Sequence, residues 1–284
     1  MARRPRKCGE EIYHHIYAWG NNRQVIFITD EHYERYISFL EKYSSDNRIR
    51  VIAYALMQTH VHLYVYDLLG KLSQFMNSLH GEYAQYFNHV TGRVGHVFGE
   101  RFNNKIVQAN EYGLWLSRYI HRQAVEAGLV TDPVYYRWTS YHTYLGVKTS
   151  GFVQPDVILE QFGNVKERVG KYEAFVKGHK KGPIDWKLES TEVIGNETFR
   201  RGILQRLRPE PKKYITDEQI CELIIERFKV DPGSLSALRG LKKKRLRRRI
   251  MAYLVGELGL KPARLAQLFK ISHMTVRRAL VAKS

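Results

Sequence analysis

Cysteine is nearly absent: Cys8 and Cys221 stand far apart in a chain of 284 residues. Neither a disulfide framework nor a four-ligand zinc site can be argued from them, and a reducing compartment fits. Long apolar runs are missing too. No stretch approaches the ~20 apolar residues of a membrane span, and the basic start Ala2-Arg3-Arg4-Pro5-Arg6-Lys7 is not followed by the apolar core of a signal peptide. A cytoplasmic protein with no membrane partner is expected. Acidic residues are scarce, 28 against 46 lysines and arginines, for a formal charge of +18. A field of that sign attracts phosphate, so nucleic acid is the leading partner. Apolar residues at 44% and aromatics at 12% exclude a largely disordered chain, and the length suits about two domains.

From Ile12 to about Tyr144 the pattern alternates between strand and helix. Ile12 to Trp19 reads as a strand, Asn21-Asn22 as a turn, and Asp30 caps a helix with Tyr33, Tyr36, Ile37, Leu40 and Tyr43 at helical spacing. Val51 to Met57 and Val61 to Tyr66 are β-rich runs separated by Gln58-Thr59-His60, which predicts neighbouring antiparallel strands. A helix follows through Leu72, Phe75, Met76, Leu79, Tyr83 and Phe87; a less regular run to Val107 supplies a fourth strand; and Asn110 opens a helix that Gly128 ends. The order β-α-β-β-α-β-α predicts an α+β fold, a ferredoxin-like antiparallel sheet with helices on one face. Residues 1–147 form this first domain. Residues 148–211, with Gly151, Pro155, Gly163, Gly182-Pro183 and Pro209 to Pro211, read as a connector with some helix. Residues 212–284 are helical throughout: Thr216 or Asp217 caps Ile220 to Phe228, and further helices are expected at about Leu238 to Leu258, Pro262 to Phe269 and His273 to Val281.

The informative segment is Ala55-Leu56-Met57-Gln58-Thr59-His60-Val61-His62-Leu63-Tyr64-Val65. Residues two apart on a strand share a face, so His60 and His62 project together while Val61, Leu63 and Val65 point into the core. Two adjacent imidazoles make a metal platform, although an H-x-H pair alone is expected by chance among 12 histidines. A second element lies in Arg118-Tyr119-Ile120-His121-Arg122-Gln123-Ala124, where Tyr119 and Gln123, four apart, face the same way on a helix. A tyrosine on that stripe is more often plain core. A glutamine within the same inward stripe needs a polar partner or a cation to offset its desolvation.

Four ordered segments carry a likeness to a family. They are Ala55 to Val65; Ser78-Leu79-His80-Gly81-Glu82-Tyr83-Ala84-Gln85-Tyr86-Phe87-Asn88; Gly95-His96-Val97-Phe98-Gly99-Glu100-Arg101-Phe102; and Arg118 to Val130 with Trp138-Thr139-Ser140-Tyr141. Together, over roughly residues 10 to 146, they resemble the REP-associated tyrosine transposases, the single-tyrosine transposase branch of the HUH endonucleases. The resemblance implies that His60, His62 and Gln123 ligate Mg²⁺ or Mn²⁺, and that Tyr119 is the nucleophile. It further implies that single-stranded, hairpin-forming repeat DNA is cut to a 5′-phosphotyrosine and a free 3′-hydroxyl. Such an enzyme belongs in a bacterial cytoplasm, associated with the nucleoid, as a monomer or homodimer. The chain departs from the family's usual pattern twice: Gln123-Ala124 stands where Asn-Pro is usual, and Gln58-Thr59 where Pro-Asn is usual. Related insertion-sequence transposases resemble it in using glutamine as the third ligand.

Arg93, Arg101, Lys105, Arg118 and Arg122 lie near this constellation in sequence and are candidate clamps on the DNA backbone. Toward the C-terminus, Arg239 to Arg249 holds eight basic residues, among them Lys243, Lys244, Arg247 and Arg248. Beyond it, Leu260 to Leu280 has the two-helix spacing of a helix-turn-helix and resembles the duplex-binding domain of the bacterial replication initiator, particularly through Ser272-His273-Met274-Thr275-Val276. In that likeness His273, Thr275, Arg277 and Arg278 face the major groove of duplex DNA, and the basic run meets phosphates. Two other readings compete with a strand-transfer enzyme: a non-catalytic, sequence-specific DNA-binding regulator derived from one, and a metal-dependent RNA phosphodiesterase using the same histidines.

Overall fold

The computed structural model describes residues 7–178, 182–184, 191–207, 216–233, 241–256 and 258–281, with no description of the side chains of 241–244 and 279–281. The chain divides into two compact units, Met1–Arg208 and Pro209–Ser284.

The first unit is built on a five-stranded sheet of order β2-β3-β1-β4-β5. Its strands are β1 (Ile12–Trp19), β2 (Ile49–Met57), β3 (His60–Asp67), β4 (Asn103–Val107) and β5 (Val193–Ile194). All neighbouring pairs are antiparallel except β5, which joins β4 in parallel. Strands β2 and β3 meet through the two-residue connection Gln58-Thr59, and the amide of Gly20, just past β1, donates to Thr59 O at 2.8 Å. The ends of three strands are thereby tied at one end of the sheet. β3 is buried on both faces, through Val61, Leu63 and Val65 on one side and His62 and Tyr64 on the other.

Helices α1 (Asp30–Asp46) and α2 (Leu72–Thr91) pack against each other and contribute Tyr36, Leu40, Phe75, Leu79 and Tyr83 to the main core. Thr29, not Asp30, is the N-cap of α1. Asp67 at the end of β3 accepts backbone N–H bonds from Leu69, Lys71 and Leu72 and so holds the start of α2. Helix α3 (Glu111–His121) begins at the cap Asn110, whose side chain accepts from the Tyr112 amide, and lies against β2 and β3. Its approach to the sheet is close. A methyl group on Gly113 would sit 2.4 Å from the Tyr64 hydroxyl, so glycine is required where α3 crosses β3. At Arg122 the backbone leaves the helical path and the chain restarts as α4 (Gln123–Glu126), followed by Gly128 at φ +69°.

The sequence reading closes the first domain at residue 147. Past the short helix α5 (Tyr141–Tyr144) and that boundary, the chain continues into the same unit through α6 (Asp156–Leu159), α7 (Arg168–Lys177), β5 and α8 (Glu197–Arg206). Tyr172 and Val176 of α7 are fully buried in the main core, and Ile203 of α8 joins Ile12, Ile106 and Val193 in a smaller one.

The second unit is helical: α9 (Asp217–Phe228), α10 (Leu241–Gly256), α11 (Pro262–Leu268) and α12 (His273–Val281). Thr216 and Gln219 form a capping box at the start of α9. Ile220, Ile224, Ile250, Met251, Leu254, Leu265, Phe269 and Val276 make its core, and Arg264 pairs with Asp217 at 2.6 Å.

Candidate active site

Strand register brings the site together. His60 is opposite Trp19 and His62 opposite Tyr17 on β1, while His15 is opposite Lys105 on β4. Directly opposed residues share a face of the sheet, so these six side chains project to one side, the side that α3 covers. They line a cavity of about 380 Å³ together with Met57, Tyr119, Gln123, Glu126 and Ala127.

The two imidazoles are held differently. His60 stacks on the indole of Trp19 with ring centres 3.9 Å apart, the guanidinium of Arg23 lies 3.8 Å over the same indole, and Thr59 Oγ1 is 3.1 Å from His60 Nδ1. His62 is buried, and its Nδ1 is 3.1 Å from Nε2 of His15. Tyr119 presents its ring at 90° to that of His62, centres 5.5 Å apart, and at 80° to that of His15, 5.9 Å apart. One helical turn on, Gln123 donates from Nε2 to the Tyr119 carbonyl at 3.2 Å and bonds His60 through its side chain. The nucleophile candidate and the three ligand candidates are thus gathered within one cavity.

Burial sets the protonation state. It holds His62 well below the ordinary imidazole range. It lowers His60 to about 4, outweighing the opposing bond to Gln123, and lowers His15 to about 3 with help from the Lys105 charge. All three rings are neutral at neutral pH, the form in which imidazole ligates a metal. With both Nδ1 atoms taken by Thr59 and His15, Nε2 is the ligand atom left to each ring, and a metal ion held by His60 and the Gln123 amide oxygen would replace the side-chain bond that now joins those two residues. Two imidazole nitrogens and one carbonyl oxygen suit Mn²⁺ or Mg²⁺ completed by water and phosphate oxygens. Among the described residues no cluster of three or more His, Cys, Asp or Glu is placed to hold a metal ion.

The basic residues expected near DNA have different fates. Lys105 lines the cavity and is 7% exposed. Arg118 and Arg122 are engaged elsewhere. Arg118 donates to the carbonyls of Phe175, at 2.9 Å, and Gly178, and Arg122 to that of Val176 at 3.1 Å. These are the last carbonyls of α7, unpaired within their own helix, and guanidinium groups satisfy them. Arg101 lines a separate recess of about 450 Å³ with Asn21, Asn22, Arg23 and Asn103, which shares the Trp19 wall with the main cavity. Arg93 follows the end of α2, 5.9 Å over the Phe87 ring, away from both recesses. In the second unit, His273, Arg277 and Arg278 are exposed on α12, where Val276 turns inward. The Thr275 hydroxyl is bonded to Ser272 Oγ at 2.8 Å, and the Thr275 amide donates to the same oxygen, a cap at the start of α12. Arg248 is exposed and Arg247 partly so, while the side chains of Lys243 and Lys244 lie outside the described residues.

Sequence reasoning passed over His15, Tyr17 and Trp19. The signal was there in outline: Tyr13, His15, Tyr17 and Trp19 alternate along a predicted strand, and that whole face is aromatic or basic, not aliphatic. What periodicity cannot supply is the pairing partner, and it is the β1–β3 register that puts this face beside His60 and His62.

A mostly antiparallel sheet thus carries a histidine pair beneath a tyrosine-bearing helix. Residues 8–123 match a family described as IS200-like transposases. The structure is similar to that of a REP-associated tyrosine transposase bound to a REP hairpin, with 14% identity, 54% of this chain and 98% of that chain covered and a TM-score of 0.44. It is also similar to a protein classed as a transposase from Deinococcus radiodurans R1, with 16% identity, 43% and 98% covered and a TM-score of 0.31. Among proteins of curated description, none matches. No helix among the described residues is long and apolar enough to cross a membrane.

Proposed function

We propose that the protein nicks and rejoins single-stranded DNA at hairpin-forming repeats through a covalent link to Tyr119, with its second unit holding duplex DNA. The observation that carries this reading is the edge-on placement of the Tyr119 ring 5.5 Å from His62, with Gln123 bonded both to the Tyr119 carbonyl and to His60.

His60, His62 and Gln123 would hold Mg²⁺ or Mn²⁺, which when bound polarises the scissile phosphate and stabilises charge developing on it. The chain's own groups do the rest. Tyr119, anchored on α3, directs its phenol oxygen at the phosphorus; loss of its proton and attack form the new P–O bond as the bond to the 3′ oxygen breaks. The 5′ side of the cut stays on Tyr119, and the leaving strand takes up a proton as a free 3′-hydroxyl. Attack by another 3′-hydroxyl reverses the step on a new strand, so joining needs no nucleotide cofactor. Lys105, buried at the cavity wall, adds a fixed positive charge beside the phosphate. In the second unit, His273, Arg277 and Arg278 form the exposed face of α12 that reads or grips duplex DNA, with Arg247 and Arg248 adding charge from α10.

Incubation of the protein with end-labelled single-stranded DNA from the repeats flanking its gene, with Mn²⁺ present, should give a cleaved strand and a slow-migrating covalent species. Tyr119→Phe and His62→Ala should each abolish both while still retarding the same DNA. A covalent species that survives Tyr119→Phe refutes the nucleophile. Cleavage of RNA by Tyr119→Phe would favour a phosphodiesterase, and duplex binding with no cleavage at all a regulator.

A further inference from the structure

His15 belongs to neither the H-x-H pair nor the tyrosine helix, yet it lies within hydrogen-bonding distance of His62. It lies on β1, 2% exposed, opposite Lys105 in the β1–β4 pairing, and its Nε2 is 3.1 Å from His62 Nδ1 with the two rings stacked at 18°. Its ring also meets Tyr119 edge-on. A hydrogen bond between two neutral imidazoles admits only complementary tautomers: one nitrogen carries the proton and the other accepts it. If His62 ligates through Nε2, its proton resides on Nδ1, and His15 Nε2 is the acceptor. His60 has a hydroxyl in the equivalent place, Thr59 Oγ1 at 3.1 Å, so each ring of the pair has a fixed partner behind it. The hydroxyl can donate or accept, whereas the imidazole, once its own proton is on Nδ1, can only accept.

We propose that His15 is a positioning residue that fixes the tautomer and aim of His62, turning its Nε2 into the cavity as a metal-ligating atom. The inference rests on the reading of His62 as a ligand. Partners of this kind behind a ligating imidazole are worth about 10- to 100-fold in metal affinity. Replacing the acceptor while keeping a ring, as in His15→Phe, removes the bond and leaves Nδ1–H of His62 without a partner in a dry site. His15→Gln restores an acceptor oxygen.

The test is Mn²⁺ titration of the full-length protein, followed by electron paramagnetic resonance of the free ion. His15→Phe should weaken Mn²⁺ binding by about 10- to 100-fold, His15→Gln should recover most of it, and strand cleavage by His15→Phe should return as Mn²⁺ is raised. Wild-type affinity in His15→Phe overturns the inference. Should His15→Phe fail to fold, nitrogen-15 histidine spectra of the wild-type protein decide: the His62 ring, identified by its loss in His62→Asn, should carry its proton on Nδ1, and a proton on Nε2 overturns the inference. A His62→Ala protein that binds Mn²⁺ as tightly as wild type would instead overturn the ligand reading itself, a distinguishable result.

Discussion

Single side chains decide whether the cavity is a reaction site or ordinary core. Tyr119 is half-buried beside imidazoles, and Gln123, 8% exposed, answers its desolvation with the Tyr119 carbonyl and His60. Substituting Gln123→Leu keeps the volume and removes the amide. Mn²⁺ affinity should fall at least tenfold, and cleavage more steeply, while the thermal midpoint changes little; unchanged metal affinity would exclude the amide as a ligand. Buried histidines also set the pH dependence of stability. His14 and His121 are pushed by burial to about 3, so above pH 6.5 they are neutral in both the folded and the unfolded chain. Below 6.5 the unfolded chain takes up protons that the folded one refuses, and stability falls by about 1.4 kcal/mol per pH unit for each such ring until the folded value is reached. Melting followed by circular dichroism should show a lower midpoint at pH 5 than at pH 7.5. A midpoint that rises on acidification would contradict this burial.

Helix α3 carries Tyr119, the proposed nucleophile, and its neighbours hold it in place. On either side of Tyr119, Arg118 and Arg122 grip the C-terminal carbonyls of α7, and His121 bonds both Tyr172 of α7, at 2.7 Å, and Ser140, at 2.8 Å. Ser140 in turn accepts from the Tyr54 amide on β2. Helix α7 lies beyond the residues that match the transposase family and braces the part that does. Arg118→Met keeps the apolar stem and removes two of these bonds. Amides of α3 from Ser117 to His121 should then exchange hydrogen faster by about tenfold, with the strands unaffected; identical protection would show that α7 does not hold the helix. The periodicity of α3, its Asn110 cap and Gly128 are legible in the sequence because local spacing and local caps create them. The break at Arg122 is not, since no glycine or proline marks it. Arg118 and Arg122 look like DNA contacts for the same reason that they make good caps: a guanidinium suits carbonyl oxygen as well as phosphate. Strand β5 is two residues long and exists through its pairing with β4, a contact between positions about 87 residues apart that no window of sequence contains.

At the scale of the molecule, a formal charge of +18 serves two units of unlike architecture. The fold class was readable because alternation and helical spacing are strong from Ile12 to Gly128, and the helical second unit was readable from its caps and its apolar stripe. The extent of the first unit was not readable. Residues 148–211 read as a connector by composition, yet Tyr172, Val176 and β5 within them join the cores and sheet of the first unit. The proposed duplex binding rests on the charge of the second unit. Arg277→Ala with Arg278→Ala should weaken duplex binding and flatten the slope of log K against log salt by about two, leaving covalent chemistry on single strands intact. A slope unchanged in the double variant would remove α12 from the duplex interface.

The central claim is that a phosphodiester is transferred to one phenol oxygen, and mass can locate it. After reaction with a short single-stranded substrate and Mn²⁺, followed by nuclease trimming and proteolysis, the peptide containing Tyr119 should carry the mass of a 5′-linked nucleotide, with fragmentation placing it on that tyrosine. A nucleotide found on any of the other 18 tyrosines, or cleavage with no modified peptide, would contradict the account.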